Sequence, residues 1–236
     1  MDQRTIRPSQ RVALITGAAG GLGHAVAARF SEAGWRLALL ARPRQLPQLA
    51  DTFPAAVTIA AELLDAEATQ RAVRSAVERT DRIDALLHLV GGFDMQAALD
   101  LTPADLDDQL GVNLRTAVHA SQAVLPIMLA QGSGFIAAVS ARAALYGGAR
   151  MPAYAAAKAA LAGYLASLRA EVSARGIGVS LLVPMGAIDT PANRAAMPDA
   201  DPDRWIDAGE LADGLLFLAD RGPRGRVAEL RVSPPA

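Results

Sequence analysis

A tyrosine and a lysine four residues apart, Tyr154 and Lys158 in the run Met151-Pro-Ala-Tyr-Ala-Ala-Ala-Lys158, have the types and spacing for acid–base chemistry. On a helix this spacing puts both side chains on one face, about one turn apart. A free phenol ionises near pH 10, so it moves protons poorly at neutrality. A fixed ammonium nearby favours the phenolate and pulls that value down toward working pH. The surrounding alanines predict a strong helix of little bulk, and Pro152 suits its first turn. The pair therefore falls near a helix start, where a ligand can reach it. Tyr-x-x-x-Lys also occurs on solvated helix faces, so its weight depends on the rest of the chain.

A second motif lies at the other end, in Arg11-Val-Ala-Leu-Ile-Thr-Gly-Ala-Ala-Gly-Gly-Leu-Gly23. The apolar run Val12 to Ile15 reads as a buried parallel strand entering a glycine-rich turn after Thr16. Gly17, Gly21 and Gly23 permit a tight turn, close backbone approach to a phosphate, and close helix–strand packing. From Leu22 to Phe30 the pattern is helical, which places free N–H groups where a pyrophosphate would sit. A second apolar strand, Trp35 to Leu40, follows. Strand, glycines, helix and strand in that order point to a nucleotide site.

The elements that must position these residues alternate along the chain. Further strands are expected at Val57–Leu63, Ala85–Val90, Phe135–Val139, Val179–Val183 and Val227–Val232. Asp65 caps a helix running to about Arg79, and Thr102-Pro-Ala-Asp105 starts one that carries Asn113 and ends near Pro126. The Tyr154 helix reaches about Ala174, and Leu211–Ala219 is helical. The alternation predicts an α/β fold: one doubly wound, Rossmann-type parallel sheet of about seven strands, with ligands at the strands' carboxyl ends. Residues 1–10 read as a polar tail and 11–236 as one dinucleotide-binding catalytic domain. A formal charge of −1 gives no reason to expect nucleic acid or an anionic membrane as partner. With no cysteine, and with His24, His88 and His119 scattered, no metal site is expected. No apolar run approaches the roughly 20 residues of a membrane span, and the start lacks a signal-peptide core, so a cytoplasmic protein is expected.

Together these residues resemble the short-chain dehydrogenase/reductase family over nearly the whole chain. The family's Thr-Gly-x-x-x-Gly-x-Gly turn falls on Thr16, Gly17, Gly21 and Gly23, and its catalytic Tyr-x-x-x-Lys on Tyr154 and Lys158. Its helix asparagine, which holds a water and the lysine in a proton relay, falls on Asn113 in Gly111-Val-Asn-Leu-Arg115. The resemblance implies a nicotinamide cofactor, a small-molecule substrate, and a homodimer or homotetramer. The helix faces with Val118, Ala120, Val124 and Leu125, and with Leu161, Tyr164, Leu165 and Leu168, exceed what one sheet should cover and are expected at that interface.

The strand that usually selects the cofactor ends Leu39-Leu40-Ala41-Arg42, with Ala41 where NAD-binding members tend to carry aspartate. Arg42 suits a 2′-phosphate, so NADP(H) is expected ahead of NAD(H). Glu62 and Leu63 resemble the acidic–apolar pair at the adenine edge; Leu22, Val90, Gly91, Pro184, Ile188 and Thr190 complete the expected cofactor contacts, together with Lys158. The expected substrate pocket comprises Gly92–Met95, Ala143–Tyr146, and a proline-rich mobile lid from Met185 to about Trp205.

Two departures from the family stand out. Its serine at the end of strand five, about thirteen residues before the tyrosine, would fall on Ala141, with Ser140 one place earlier. Either a one-residue loop insertion keeps Ser140 at the substrate, or the serine is lost; adjacent strand residues face opposite ways. The Asn-Asn-Ala-Gly turn after strand four is replaced by His88-Leu-Val-Gly91-Gly92-Phe93. These departures, with the segment from Thr190 to Asp201, resemble dihydropteridine-reductase-like members. The expected activity is NADPH-dependent reduction of a carbonyl, or the reverse oxidation, with Tyr154 as proton donor and Ser140 as provisional carbonyl partner. Reduction of a quinonoid pterin or another conjugated acceptor is the alternative, and a non-catalytic dinucleotide sensor a third.

Overall fold

The apolar runs do form parallel strands, and the central ones are covered on both faces. A computed structural model describes residues 10–235, so residues 1–9 of the expected tail lie outside the described residues. The strands are β1 (Val12–Thr16), β2 (Arg36–Ala41), β3 (Val57–Ala60), β4 (Ala85–His88), β5 (Gly134–Val139), β6 (Ile177–Pro184), β7 (Ile188–Asp189), β8 (Ile206–Asp207) and β9 (Glu229–Val232). Seven make one sheet in the order β3-β2-β1-β4-β5-β6-β9, and every neighbouring pair is parallel. The order reverses between β1 and β4, which opens a crevice at their carboxyl ends, where Thr16 pairs with His88 in register.

The pleat sends alternate residues to two cores. Leu14, Leu86 and Ile136 join α3 (Ala66–Thr80), α5 (Thr116–Gln131) and α7 (Pro152–Val172) on one side. Ile15, Leu87 and Phe135 join α1 (Gly21–Glu32), α2 (Leu46–Thr52) and α9 (Ala208–Ala219) on the other. The expected caps are made: Asp65 accepts from the Ala68 N–H at 2.9 Å, and Thr102 and Asp105 form a reciprocal pair at the start of α4 (Pro103–Leu110).

Several expectations change. The strand expected to reach Leu63 ends at Ala60, because the chain turns there, with the Asp65 N–H on the Glu62 carbonyl at 3.2 Å, to set the cap of α3. The helix expected to stop near Pro126 continues to Gln131 and ends at Gly132, whose φ is 68°. Pro126 is exposed, while Val124 and Met128 on either side of it are fully buried and hold the last turns to the core. The apolar surplus expected on α5 and α7 is mostly absent. Ala120, Val124, Leu161, Leu165 and Leu168 are buried in the chain's own core, leaving Val118, Leu125 and Tyr164 half-buried. The segment expected as a lid carries regular structure of its own: β7 pairs with β8, with α8 (Pro191–Ala196) between them, and Arg194 bonds Asp189 at 2.6 and 2.7 Å. Among the described residues, no helix is long and apolar enough to cross a membrane.

Candidate active site

β1 delivers Thr16 into the glycine turn, and each expected glycine is required there for its own reason. Gly17 has φ +69°, and a Cβ on it would sit 3.0 Å from the backbone of Leu89 and of Val90. A Cβ at Gly23 would lie 2.1 Å from the Gly17 carbonyl oxygen, so this glycine lets α1 start against the turn. A Cβ at Gly21 would meet the Thr190 Cβ at 2.8 Å, which brings the β7–α8 segment onto the turn; Pro184 and Ile188 sit on the strands that carry Thr190 there. α1 begins without a side-chain cap, so the N–H groups of its first turn, Leu22 included, are open to an anion. Beside the turn lies a cavity of about 260 Å³ lined by Gly17, Ala41, Arg42, Glu62, Leu63 and Val90, among others. Arg42 is exposed, and its guanidinium makes no ion pair among the described residues.

Beneath this crevice a buried hydrogen-bond chain replaces the turn missing after β4. His88 is 2% exposed; its Nδ1 lies 2.9 Å from the Thr16 hydroxyl and its Nε2 3.2 Å from the Thr116 hydroxyl. The Thr116 hydroxyl donates to the Val112 carbonyl at 2.8 Å, so it accepts from the imidazole. That fixes Nε2–H as the tautomer and leaves Nδ1 to accept from Thr16. Burial first, and then the Lys158 charge, hold the imidazole pKa down at about 3, so the ring is neutral. His88 thus bridges the glycine turn and the Asn113 helix, a role its place in the sequence does not mark.

Asn113 sits in a π-turn, Gly111–Arg115, between α4 and α5, and is fully buried. Its amide N–H group donates to the Gly92 carbonyl at 2.9 Å and to the Gln109 side-chain oxygen at 3.0 Å. Its oxygen accepts from the Gly92 N–H at 3.1 Å. Across the site, Lys158 Nζ donates to the Val139 carbonyl at 2.9 Å. Asn113 Oδ1 and Lys158 Nζ meet over Gly91, since a Cβ there would lie 3.0 Å from each. Tyr154, Lys158 and Asn113 are thus brought together at the carboxyl ends of β4 and β5, next to the glycine turn.

Two expectations about this cluster change. Burial pushes the Tyr154 phenol up to about 12 and the Lys158 ammonium down to about 8. Desolvation of each side chain therefore outweighs the lowering expected from the lysine, whose Nζ is 5.9 Å from the phenol ring centre. Ser140 is buried, and its hydroxyl donates to the Lys158 carbonyl at 3.2 Å, tying β5 to α7. Its backbone N–H continues the sheet onto the Leu182 carbonyl at 2.8 Å, so no bulge turns it toward the phenol. Phe93, by contrast, packs on Tyr154 with ring centres 4.9 Å apart and planes at 88°.

A family model for short chain dehydrogenases matches residues 11–201. The chain belongs to the short-chain dehydrogenase family. Oxidoreductase UcpA of Escherichia coli is 30% identical over 232 residues, covering 94% of this chain and 88% of that protein. The 3-oxoacyl-(acyl-carrier-protein) reductase FabG of Thermotoga maritima is 29% identical over 233 residues, covering 91% and 92%. The crystal structure of levodione reductase superposes with a TM-score of 0.85 at 27% identity, covering 96% of this chain and 97% of that one. This short-chain dehydrogenase is therefore an oxidoreductase whose family uses a nicotinamide dinucleotide, NAD(H) or NADP(H). The residues present fit that group: a backbone cradle that any Cβ at Gly17 or Gly23 would fill, leading into an uncapped helix N-terminus.

Proposed function

We propose that this enzyme uses NADPH to reduce a carbonyl group of a small organic molecule, or catalyses the reverse alcohol oxidation, with Tyr154 as the proton donor. The observation that carries this reading is the convergence of Tyr154, Lys158 and Asn113 beside Gly91, one strand away from the glycine turn. The bound dinucleotide supplies a hydride equivalent. The chain's residues supply the rest. A phenol held near pKa 12 keeps its proton until an oxygen beside it gains charge, and then donates to that oxygen. Lys158, anchored on Val139, would bind the nicotinamide ribose and carry charge below about pH 8. Asn113, locked to both polar atoms of Gly92, would position the proton relay. We assign Ser140 to fixing α7 on β5 rather than to the substrate, because its proton is committed to the Lys158 carbonyl.

Arg42 supports the choice of NADPH: it is exposed at the rim of the cavity beside Ala41, where no carboxylate follows β2. The double variant Ala41→Asp with Arg42→Ala should raise the KM for NADPH by about 10- to 100-fold, the worth of one charge-assisted bond, and favour NADH. Initial rates with both dinucleotides decide it; a parent already faster with NADH would overturn the assignment.

A homodimer or homotetramer is proposed from the family resemblance, with the half-buried Val118, Leu125 and Tyr164 as its apolar remainder. Light scattering at micromolar concentration should give a multiple of the 24.5 kDa chain, and a monomer would refute it.

A further inference from the structure

Between β4 and α4 the chain runs without regular structure, yet Phe93 is held firmly at both flanks. On one side Gly92 exchanges two hydrogen bonds with Asn113, at 3.1 and 2.9 Å. On the other, the Gln96 N–H donates at 2.7 Å to the carbonyl of Arg150, in the segment that leads into α7. The phenyl ring thus stands in a fixed place against Tyr154 while remaining 58% exposed. Exposed Met95 lies on the same loop, and exposed Tyr146 on α6 (Ala143–Tyr146), the short helix before α7. An apolar ring kept in water beside an acid–base group is costly unless something covers it.

The ring geometry says what shape would cover it. Planes at 88° set the phenyl ring and the phenol ring at right angles. A flat molecule laid along Phe93 is therefore edge-on to the Tyr154 ring, and a carbonyl on that edge accepts hydrogen bonds in the molecule's own plane. The end of β5 adds a second, independent observation. Ser140 donates to Lys158 and is followed by Ala141, so the strand offers no second hydroxyl to polarise the substrate oxygen. An isolated ketone then has the phenol as its donor from these two elements. A conjugated carbonyl needs less help, because the charge that builds on its oxygen spreads into the π system.

We propose that the substrate is a planar, conjugated carbonyl compound, a quinone or aryl diketone, that stacks on Phe93 with its reacting oxygen at Tyr154. This rests on the carbonyl-reductase reading above and narrows it to a substrate class. The step balances as a two-electron reduction: a hydride from NADPH forms the new C–H bond at the carbonyl carbon. The C=O π pair moves to oxygen, that oxygen takes the Tyr154 proton, and solvent reprotonates the phenolate as NADP⁺ is left.

The test compares acenaphthenequinone, flat and aromatic, with camphorquinone, a vicinal diketone of similar size with a bulky aliphatic frame. The parent should favour acenaphthenequinone in kcat/KM by about 10-fold or more, since aromatic pairing adds to area burial. Phe93→Leu, which keeps apolar bulk but not the ring, should reduce that ratio about 10-fold, mainly through the KM of the flat substrate, and Phe93→Tyr should retain it. Ala141→Ser, which restores a hydroxyl, should raise camphorquinone turnover more than acenaphthenequinone turnover. Equal preference in the parent, or an unchanged ratio in Phe93→Leu, overturns the proposal. Reduction of neither diketone by the parent would count against the carbonyl-reductase reading itself. Equilibrium dialysis of acenaphthenequinone would then decide the stacking claim separately: about 10-fold weaker binding to Phe93→Leu supports it, and equal binding refutes it.

Discussion

Tyr154→Phe should lower turnover by about 10²- to 10⁴-fold while NADPH affinity stays within about two-fold, because the substitution removes only the transition-state proton. The structure makes this variant unusually clean. The phenyl ring that remains keeps its perpendicular contact with Phe93. Lys158 is held by the Val139 carbonyl, not by the phenol, so its position does not depend on the hydroxyl. Asn113 is likewise anchored on Gly92 and Gln109. Stability should change little, since no hydrogen bond of the fold is broken. Steady-state rates with a diketone, alongside dinucleotide binding followed by NADPH fluorescence, separate the two effects. Turnover within a few-fold of the parent would remove Tyr154 from the mechanism. A parallel loss of dinucleotide binding would instead assign it to cofactor recognition.

The parts of this site legible in the sequence are those set by local spacing. Tyr154 and Lys158 share a helix face because four residues make one turn, and Gly17, Gly21 and Gly23 follow a strand and open a helix. The doubly wound parallel sheet of seven strands followed from alternation of apolar runs with helices. What was not legible depends on partners far away in the chain. His88 bridges Thr16, 72 residues before it, and Thr116, 28 residues after it, and nothing in its own neighbourhood marks it. The direction of Ser140 was undecidable from counting, since one residue of loop changes the face, and the bond to Lys158 decides where its hydroxyl goes.

Electrostatics were misjudged for a related reason. Spacing shows that an ammonium lies near the phenol, but not that both groups are buried, and burial pushes each toward its neutral form. The helix faces of α5 and α7 looked too apolar for one sheet because the depth of the core was unknown. Leu161, Leu165 and Leu168 all fit within it. Phe93 carried no periodic signal at all; its importance comes from two loops brought together by the Gln96–Arg150 bond.

Gly23→Ala should cut dinucleotide affinity by roughly 100-fold and lower the melting temperature by several degrees, as overpacking against rigid neighbours costs about 1–3 kcal/mol or more. The new Cβ would lie 2.1 Å from the Gly17 carbonyl oxygen, 2.8 Å from Ala18 Cα and 2.9 Å from Ala18 C. All three are backbone atoms, so no side chain can swing aside. The turn must open or α1 must back away. The helix cannot retreat freely, because Val26, Ala27 and Phe30 on it are fully buried. The turn is therefore the part that yields, and opening it breaks the Gly20-to-Gly17 hydrogen bond and displaces the N–H groups proposed to hold the dinucleotide phosphates. Two companion variants locate the cause. At Gly21 the nearest obstacle is the Thr190 Cβ at 2.8 Å, a milder overlap than the 2.1 Å at Gly23, so Gly21→Ala should lose less affinity than Gly23→Ala. At Gly34 nothing lies within 4 Å but φ is +81°, so Gly34→Ala should cost about 1 kcal/mol of stability and leave dinucleotide binding intact. Thermal melts and NADPH titrations of the three variants give the ordering. Equal affinity for NADPH in Gly23→Ala and the parent would mean that the glycine turn does not hold the dinucleotide.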